Sequence, residues 1–191
     1  MLVRIGKRTA KALCNISAST NLKPEFFEHR FHKNVYVENG DFDMKLTGIV
    51  DRGDVYYSDE DKSLKLRIID YKSGSNEFKI NQLYEGLQLQ LSVYMSIMLE
   101  LAKDKYSGKG EYDVVPEGMY YYQMKDPYIE AVNIDDAEKK RDKELKLKGL
   151  ENTDKETCRK MSGTEEDSML ESVSYAATVG AMILSIMALY N

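Results

Sequence analysis

The sequence predicts an α/β fold, a mixed β-sheet flanked by helices. Three observations point there. Segments of helical periodicity alternate with runs rich in Phe, Tyr, Val and Ile, in the order helix, three strands, long helix, two strands, helix. Asn39-Gly40 marks a hairpin between the first two strands. The 191 residues are 42% hydrophobic and 31% charged, enough for one domain with a real core and no need of disulfides or structural metal.

Each element has a local cause. Leu2, Ile5, Ala10, Leu13 and Ile16 recur at helical spacing among basic residues, which predicts an N-terminal helix within 1–23 that Pro24 ends. Residues 25–37 and 43–57 read as the hairpin strands. Leu64–Lys72 is a third strand, entered from the polar loop Ser58–Ser63 and broken by Ser73-Gly74-Ser75-Asn76. Ile80, Leu83, Leu87, Leu91, Tyr94 and Met98 form one apolar stripe, so 80–103 is predicted as a single long helix, punctuated by Gly108 and Gly110. Gly118–Met124 and Tyr128–Val132 read as two more strands, divided by Asp126-Pro127. These elements make the core of the predicted domain over 24–134.

Residues 135–167 hold eleven acidic and nine basic residues and few large apolar ones, so they read as a charged connection, part helix and part mobile loop. Residues 168–191 return to helical spacing through Met169, Val173, Val179, Ile183, Ile186 and Leu189, which predicts a C-terminal core helix too short to span a bilayer.

Composition narrows the function classes. The net charge of −5 argues against binding nucleic acid by bulk charge, yet residues 1–33 carry seven basic and two acidic residues. A basic end on an acidic body suits a local phosphate contact as well as an ordinary solvated helix face. No run of 18 apolar residues occurs, so no membrane span is expected. The start lacks an apolar signal core, and the two cysteines, Cys14 and Cys158, cannot make a disulfide framework or a four-cysteine metal site. A reducing cytoplasm is the expected location. The absence of a GxxxxGK[ST] loop excludes a P-loop ATPase.

The strongest chemical signal is Ile68-Ile69-Asp70-Tyr71-Lys72-Ser73-Gly74. Residues two apart on a strand share a face, so Asp70 and Lys72 project together at a strand end. A carboxylate can hold a hard divalent cation, and a lysine beside it can orient water or offset charge developing on phosphorus. An ordinary ion pair on a strand edge would look the same. Leu46-Thr47-Gly48-Ile49-Val50-Asp51 adds a second carboxylate, with Gly48 permitting close approach. If the two strands are antiparallel neighbours, Asp51 faces Asp70 and the pair forms a site for Mg²⁺. Alternatively, Asp51 starts a turn and pairs with Arg52. On the long helix, Gln90 and Tyr94 are four apart and share a face. A half-buried amide there needs partners, which a phosphate or an active-site carboxylate would supply.

In this order and spacing, Gly48-Ile49-Val50-Asp51-Arg52, Ile68–Gly74 and Gln90-Leu91-Ser92-Val93-Tyr94 are similar to the PD-(D/E)XK nuclease core of the RecB-like group. Val115–Tyr122 with Asp126-Pro127, and Leu145–Leu150, resemble more narrowly the B subunits of bacterial AddAB-type helicase–nucleases. The resemblance spans roughly 24–160. It implies a restriction-endonuclease-like sheet and a Mg²⁺- or Mn²⁺-dependent exonuclease domain in double-strand-break processing and recombinational repair. It also implies two partners, DNA and the helicase chain (the A subunit) of the same complex. Its site would have Asp51, Asp70 and the Tyr71 carbonyl as metal ligands, Lys72 as catalytic lysine and Gln90 with Tyr94 as the helix motif. Two features of such proteins are missing. They usually carry a metal-binding histidine on an earlier helix, whereas His29 and His32 fall in the first predicted strand. The B subunits also carry four cysteines for an iron–sulfur cluster, and no such cluster is expected here. The sequence therefore reads as an excised nuclease domain, weakly active or inactive alone. The rival reading is a non-catalytic nuclease-like module that binds DNA or scaffolds a complex.

Overall fold

A computed structural model describes residues 2–36, 43–74, 78–106, 112–152 and 170–174. The N-terminal helix α1 (Leu2–Ala18) buries Ala12 and Ile16 and leaves its basic side outward. It ends before Pro24, where the Ser19 N–H donates to the Asn15 carbonyl. Strands β1 (Lys23–Tyr36), β2 (Asp43–Ser58) and β3 (Ser63–Lys72) follow. The Asn39-Gly40 turn lies outside the described residues, but Tyr36 pairs with Asp43 antiparallel, as a hairpin requires. Thereafter come α2 (Ile80–Tyr84), α3 (Gln90–Tyr106), β4 (Asp113–Gln123), α4 (Ile134–Glu144), β5 (Leu147–Glu151) and β6 (Leu170–Ser174).

The six strands form one mixed sheet in sequential order. β3 pairs parallel with β4, and β5 with β6; the other neighbours are antiparallel. A parallel pair needs a crossover, and α2 and α3 supply it between β3 and β4. That crossover lays α3 on one face, where Met95, Met98 and Leu99 pack on Leu64, Leu66 and Ile68. α1 covers the other face, with Ala12 and Ile16 against Ile69, Tyr120 and Tyr122. The sheet is therefore a covered middle layer, as the mixed α/β prediction required.

Four local expectations are corrected. The predicted helix over 80–103 is broken at 85–89. Gly86 adopts φ +73°, and the N–H groups of Leu87 and Gln88 turn back to the Gln82 carbonyl. Leu87 consequently leaves the apolar stripe and is 70% exposed. Tyr128–Val132 is not a strand. No ladder bonds reach it, and Tyr128 and Val132 are 88% and 93% exposed. In the charged connection, a helix does form, capped by the Asn133 side chain, which accepts from the Asp136 N–H. Its continuation is β5, an unexpected strand in which Leu147 and Leu150 are fully buried. Finally, Leu170–Ser174 within the predicted C-terminal helix is β6, paired parallel with β5. The sheet thus extends well past residue 134, and the rest of 168–191 lies outside the described residues, as do Gly108 and Gly110.

Gly149 shows how tightly β5 docks. A Cβ there would stand 2.0 Å from the Met119 carbonyl oxygen and 2.8 Å from the Tyr120 Cα, both backbone atoms that cannot step aside. Gly149→Ala is expected to push β5 off β4. The cost is about 1–3 kcal/mol, and a thermal melt should read it as roughly 2–4 °C per kcal/mol. An unchanged melting temperature would mean that β5 contributes little to the folded sheet.

Candidate active site

The site forms where β2 and β3 begin to part. Their last regular pair is Arg52 with Ile69, so Asp51 and Asp70 follow just past the end of the ladder, near enough for the Asp51 charge to act on Asp70. The alignment is held by a hydrogen bond in which the Tyr71 N–H donates to Asp51 Oδ2 at 2.7 Å. Asp51 therefore does not open a turn, nor does it pair with Arg52, whose guanidinium is turned to Asp54 instead.

Asp70 is 4% exposed, and its Oδ2 lies 2.6 Å from Lys72 Nζ. The first residue of α3 closes the arrangement. Gln90 Oε1 accepts from Lys72 Nζ at 2.8 Å, while Gln90 Nε2 donates to Asp70 Oδ1 at 3.2 Å and to the Tyr94 hydroxyl oxygen at 3.0 Å. This network leaves one amide orientation. An ammonium only donates and a carboxylate only accepts, so the amide oxygen must face Lys72 and the nitrogen Asp70. One helical turn on, Tyr94 stacks edge-on against Phe31. Gly48 makes room for both rings, since a Cβ there would meet Phe31 at 2.7 Å and Tyr94 at 3.2 Å. The helix break at Gly86 is what allows α3 to start at Gln90.

Electrostatics set the protonation tendencies. Burial raises the Asp70 pKa above the ordinary carboxylate value; Lys72 pulls it down, and the neighbouring Asp51 charge pushes it up again. Tyr121 sits opposite Asp70 on β4, with its ring 5.2 Å from Lys72 Nζ. Burial, then the Asp70 charge, pushes its phenol up to about 12, so Tyr121 stays neutral and offers its ring to the lysine.

The donor set suits a hard divalent cation. Two carboxylates converge, with one lysine set against them, and oxygen is the donor such cations take. Among the described residues no third His, Cys, Asp or Glu joins them to make a three-residue cluster. His29 and His32 lie in β1, paired with Val50 and Thr47 of β2, and neither joins such a cluster among the described residues. Cys14 is exposed, and Cys158 lies outside the described residues.

The profile of the PD-(D/E)XK nuclease superfamily matches residues 4–178. The chain belongs to this superfamily. Three relatives are each named as the B subunit of an ATP-dependent helicase/deoxyribonuclease. The one from Lachnoclostridium phytofermentans is 36% identical over 152 residues, covering 80% of this chain and 12% of the relative. The one from Clostridium acetobutylicum is 32% identical, covering 88% of this chain and 15% of the relative. The one from Thermoanaerobacter sp. strain X514 is 35% identical, covering 74% and 11%. The chain thus spans about an eighth of the length of these relatives.

Two parts of this candidate site are not announced by the sequence motifs. Tyr121 is one; its signal is the Tyr120-Tyr121-Tyr122 run, which places alternate rings on opposite faces. The other lies beneath the site on the α1 side. There, buried Asp54 accepts from Arg52 Nε at 2.6 Å and from Arg67 Nη2 at 2.7 Å, and Arg52 Nη2 reaches Ser17 Oγ at 2.8 Å. This group ties α1 to β2 and β3 one residue from Asp51. Gln90→Ala would leave both Asp70 and Lys72 one hydrogen bond short. We expect it to lower DNA cleavage about tenfold to a hundredfold with DNA affinity unchanged, measured by single-turnover kinetics and binding in EDTA.

Proposed function

We propose that this chain is the nuclease module of a helicase–nuclease, hydrolysing DNA phosphodiesters with Mg²⁺ or Mn²⁺ as an exonuclease in double-strand-break processing and recombinational repair. Its partners in this reading are DNA and the helicase chain of the same complex, in the cytoplasm. One observation carries it: Asp70, Lys72 and Gln90 form a closed hydrogen-bonded set beside Asp51. No helix among the described residues is long and apolar enough to cross a membrane.

In this mechanism Asp51, Asp70 and the Tyr71 carbonyl would hold the cation, which would supply Lewis acidity toward water and phosphate when bound. The Tyr71 N–H fixes the Asp51 carboxylate so that it need not reorganise as charge develops. Lys72, steered by Gln90 Oε1 and by the Tyr121 ring, directs its ammonium at the phosphate and the attacking water. Tyr94 restrains the Gln90 amide through its hydroxyl. Water attacks phosphorus in line with the leaving oxygen: the new P–O bond forms as the old one breaks, the water's proton passes to solvent, the leaving oxygen takes a proton up, and the Lys72 ammonium offsets the added negative charge.

The test is cleavage of end-labelled linear DNA by the chain across a Mg²⁺ and Mn²⁺ titration. Cleavage should rise with metal and need much of it, because two carboxylates bind a hard cation weakly. EDTA should abolish it. No cleavage at any metal concentration, even with the chain embedded in a full-length protein of the relatives' kind with its helicase partner, would favour the non-catalytic DNA-binding or scaffolding reading. That second reading draws on the two-carboxylate donor set.

A further inference from the structure

On α1, Arg4, Lys7, Arg8 and Lys11 stand three and four residues apart and so share one face of the helix. That face lines a cleft of about 260 Å³ against α4, which contributes Arg141, Glu138 and Asp142. Water occupies about 30 Å³ per molecule, so the cleft has room for a phosphate group with its hydration. Arg4 and Arg8 are both bound by Asp126, and Lys11 and Arg141 share Glu138. Five cations thus meet three carboxylates, an excess of positive charge on a chain whose net charge is −5. Lys7 has no ion-pair partner among the described residues, and Arg141 Nε is buried without an acceptor. Burial and the charges of Arg141 and Arg4 hold the Arg8 pKa below its ordinary value, a sign of crowded guanidinium groups.

The cleft is close to the nuclease site. The Met124 N–H donates to the Lys72 carbonyl at 2.8 Å, and Asp126 follows two residues later, at most about 7 Å along the chain. From these observations we infer that the cleft between α1 and α4 binds backbone phosphates of the DNA strand a few nucleotides from the scissile bond. Guanidinium forks match phosphate oxygens, and an acceptor-only anion suits the exposed ammonium groups of Lys7 and Lys11 on the same helix face. The inference rests on the nuclease reading for its substrate. DNA is gripped at two places, and the strand lies across the end of the sheet between them.

The experiment is fluorescence anisotropy in EDTA with labelled single-stranded DNA, from a trinucleotide to a dodecamer. Wild-type affinity should climb with length until both places are spanned. Lys7→Glu/Lys11→Glu changes two exposed side chains whose loss should leave folding intact. It should weaken the dodecamer about tenfold or more, leave the trinucleotide nearly unchanged, and make the log–log salt dependence shallower by about 0.7 per lost contact. Equal affinities and equal salt slopes for wild type and variant would overturn the inference. The nuclease reading is judged separately, by metal-dependent cleavage of the same DNA. Cleavage with no effect of the double variant removes the cleft proposal alone. A length-dependent grip without cleavage removes the catalytic reading and leaves the cleft.

Discussion

Asp70→Asn is expected to cut DNA hydrolysis by at least about a hundredfold, because losing even the supports of a metal ligand costs tenfold to a hundredfold. The same change should raise the thermal stability of the metal-free chain at neutral pH. The sign follows from the raised Asp70 pKa, caused first by burial and then by Asp51, against the pull of Lys72. A raised folded-state pKa contributes stability that is complete below the unfolded value and is lost as pH rises through the folded one. Above that pH the ionised carboxylate is a net cost, which the neutral isostere removes. Melting curves in EDTA between pH 4 and pH 8 should show the wild type falling behind Asp70→Asn as pH increases. A variant less stable than wild type at pH 8 would mean that the Lys72 ion pair outweighs burial. Retained cleavage would remove Asp70 from the proposed ligand set.

Lys72→Gln should lower the rate of bond breaking by about 10²–10³, the usual cost of losing one charge-stabilising donor, and change DNA affinity little. The geometry predicts the split. Nζ is committed to Asp70 and Gln90 and rests beside the Tyr121 ring, so its charge is aimed inward at the reacting group. Single-turnover kinetics with saturating metal, beside anisotropy in EDTA, separates the two quantities. A parallel loss of affinity and rate would make Lys72 a phosphate anchor instead. Metal affinity carries a further check. Removing the ammonium leaves two carboxylates without their nearest cation, so Mn²⁺ should bind the variant no more weakly than the wild type.

Much of the site was legible because its chemistry is carried by residues close in sequence. Asp70 and Lys72 share a strand face by the two-residue period alone, and Gln90 and Tyr94 share a helix face by the four-residue period. Gly48 announced a close approach, and the structure puts Phe31 and Tyr94 against it. What stayed hidden depends on partners far away in the chain. Nothing near Asp51 says that its carboxylate will take the Tyr71 N–H, or that Arg52 will turn to Asp54 and Ser17. Tyr121 enters the site only because β3 and β4 pair parallel at that register.

The same division holds for the fold. Periodicity by itself determined α1, the β1–β2 hairpin, β3 and the apolar face of α3, because each is a pattern of faces that a segment carries wherever it sits. Tertiary structure decided the rest. The apolar stripe ran unbroken through Leu87, yet Gly86 in a left-handed conformation outweighs one leucine's burial and restarts the helix at Gln90. Leu147–Glu151 and Leu170–Ser174 are too short and too charged, or too helical in pattern, to read as strands alone. They become strands because the open edge of β4 has backbone donors and acceptors to satisfy, and β5 then offers β6 the same edge. Tyr128–Val132 has the more strand-like composition but pairs with no strand among the described residues, and it stays irregular. Local sequence sets which face of a segment is apolar; only the assembled sheet settles which segments find a neighbour to bond.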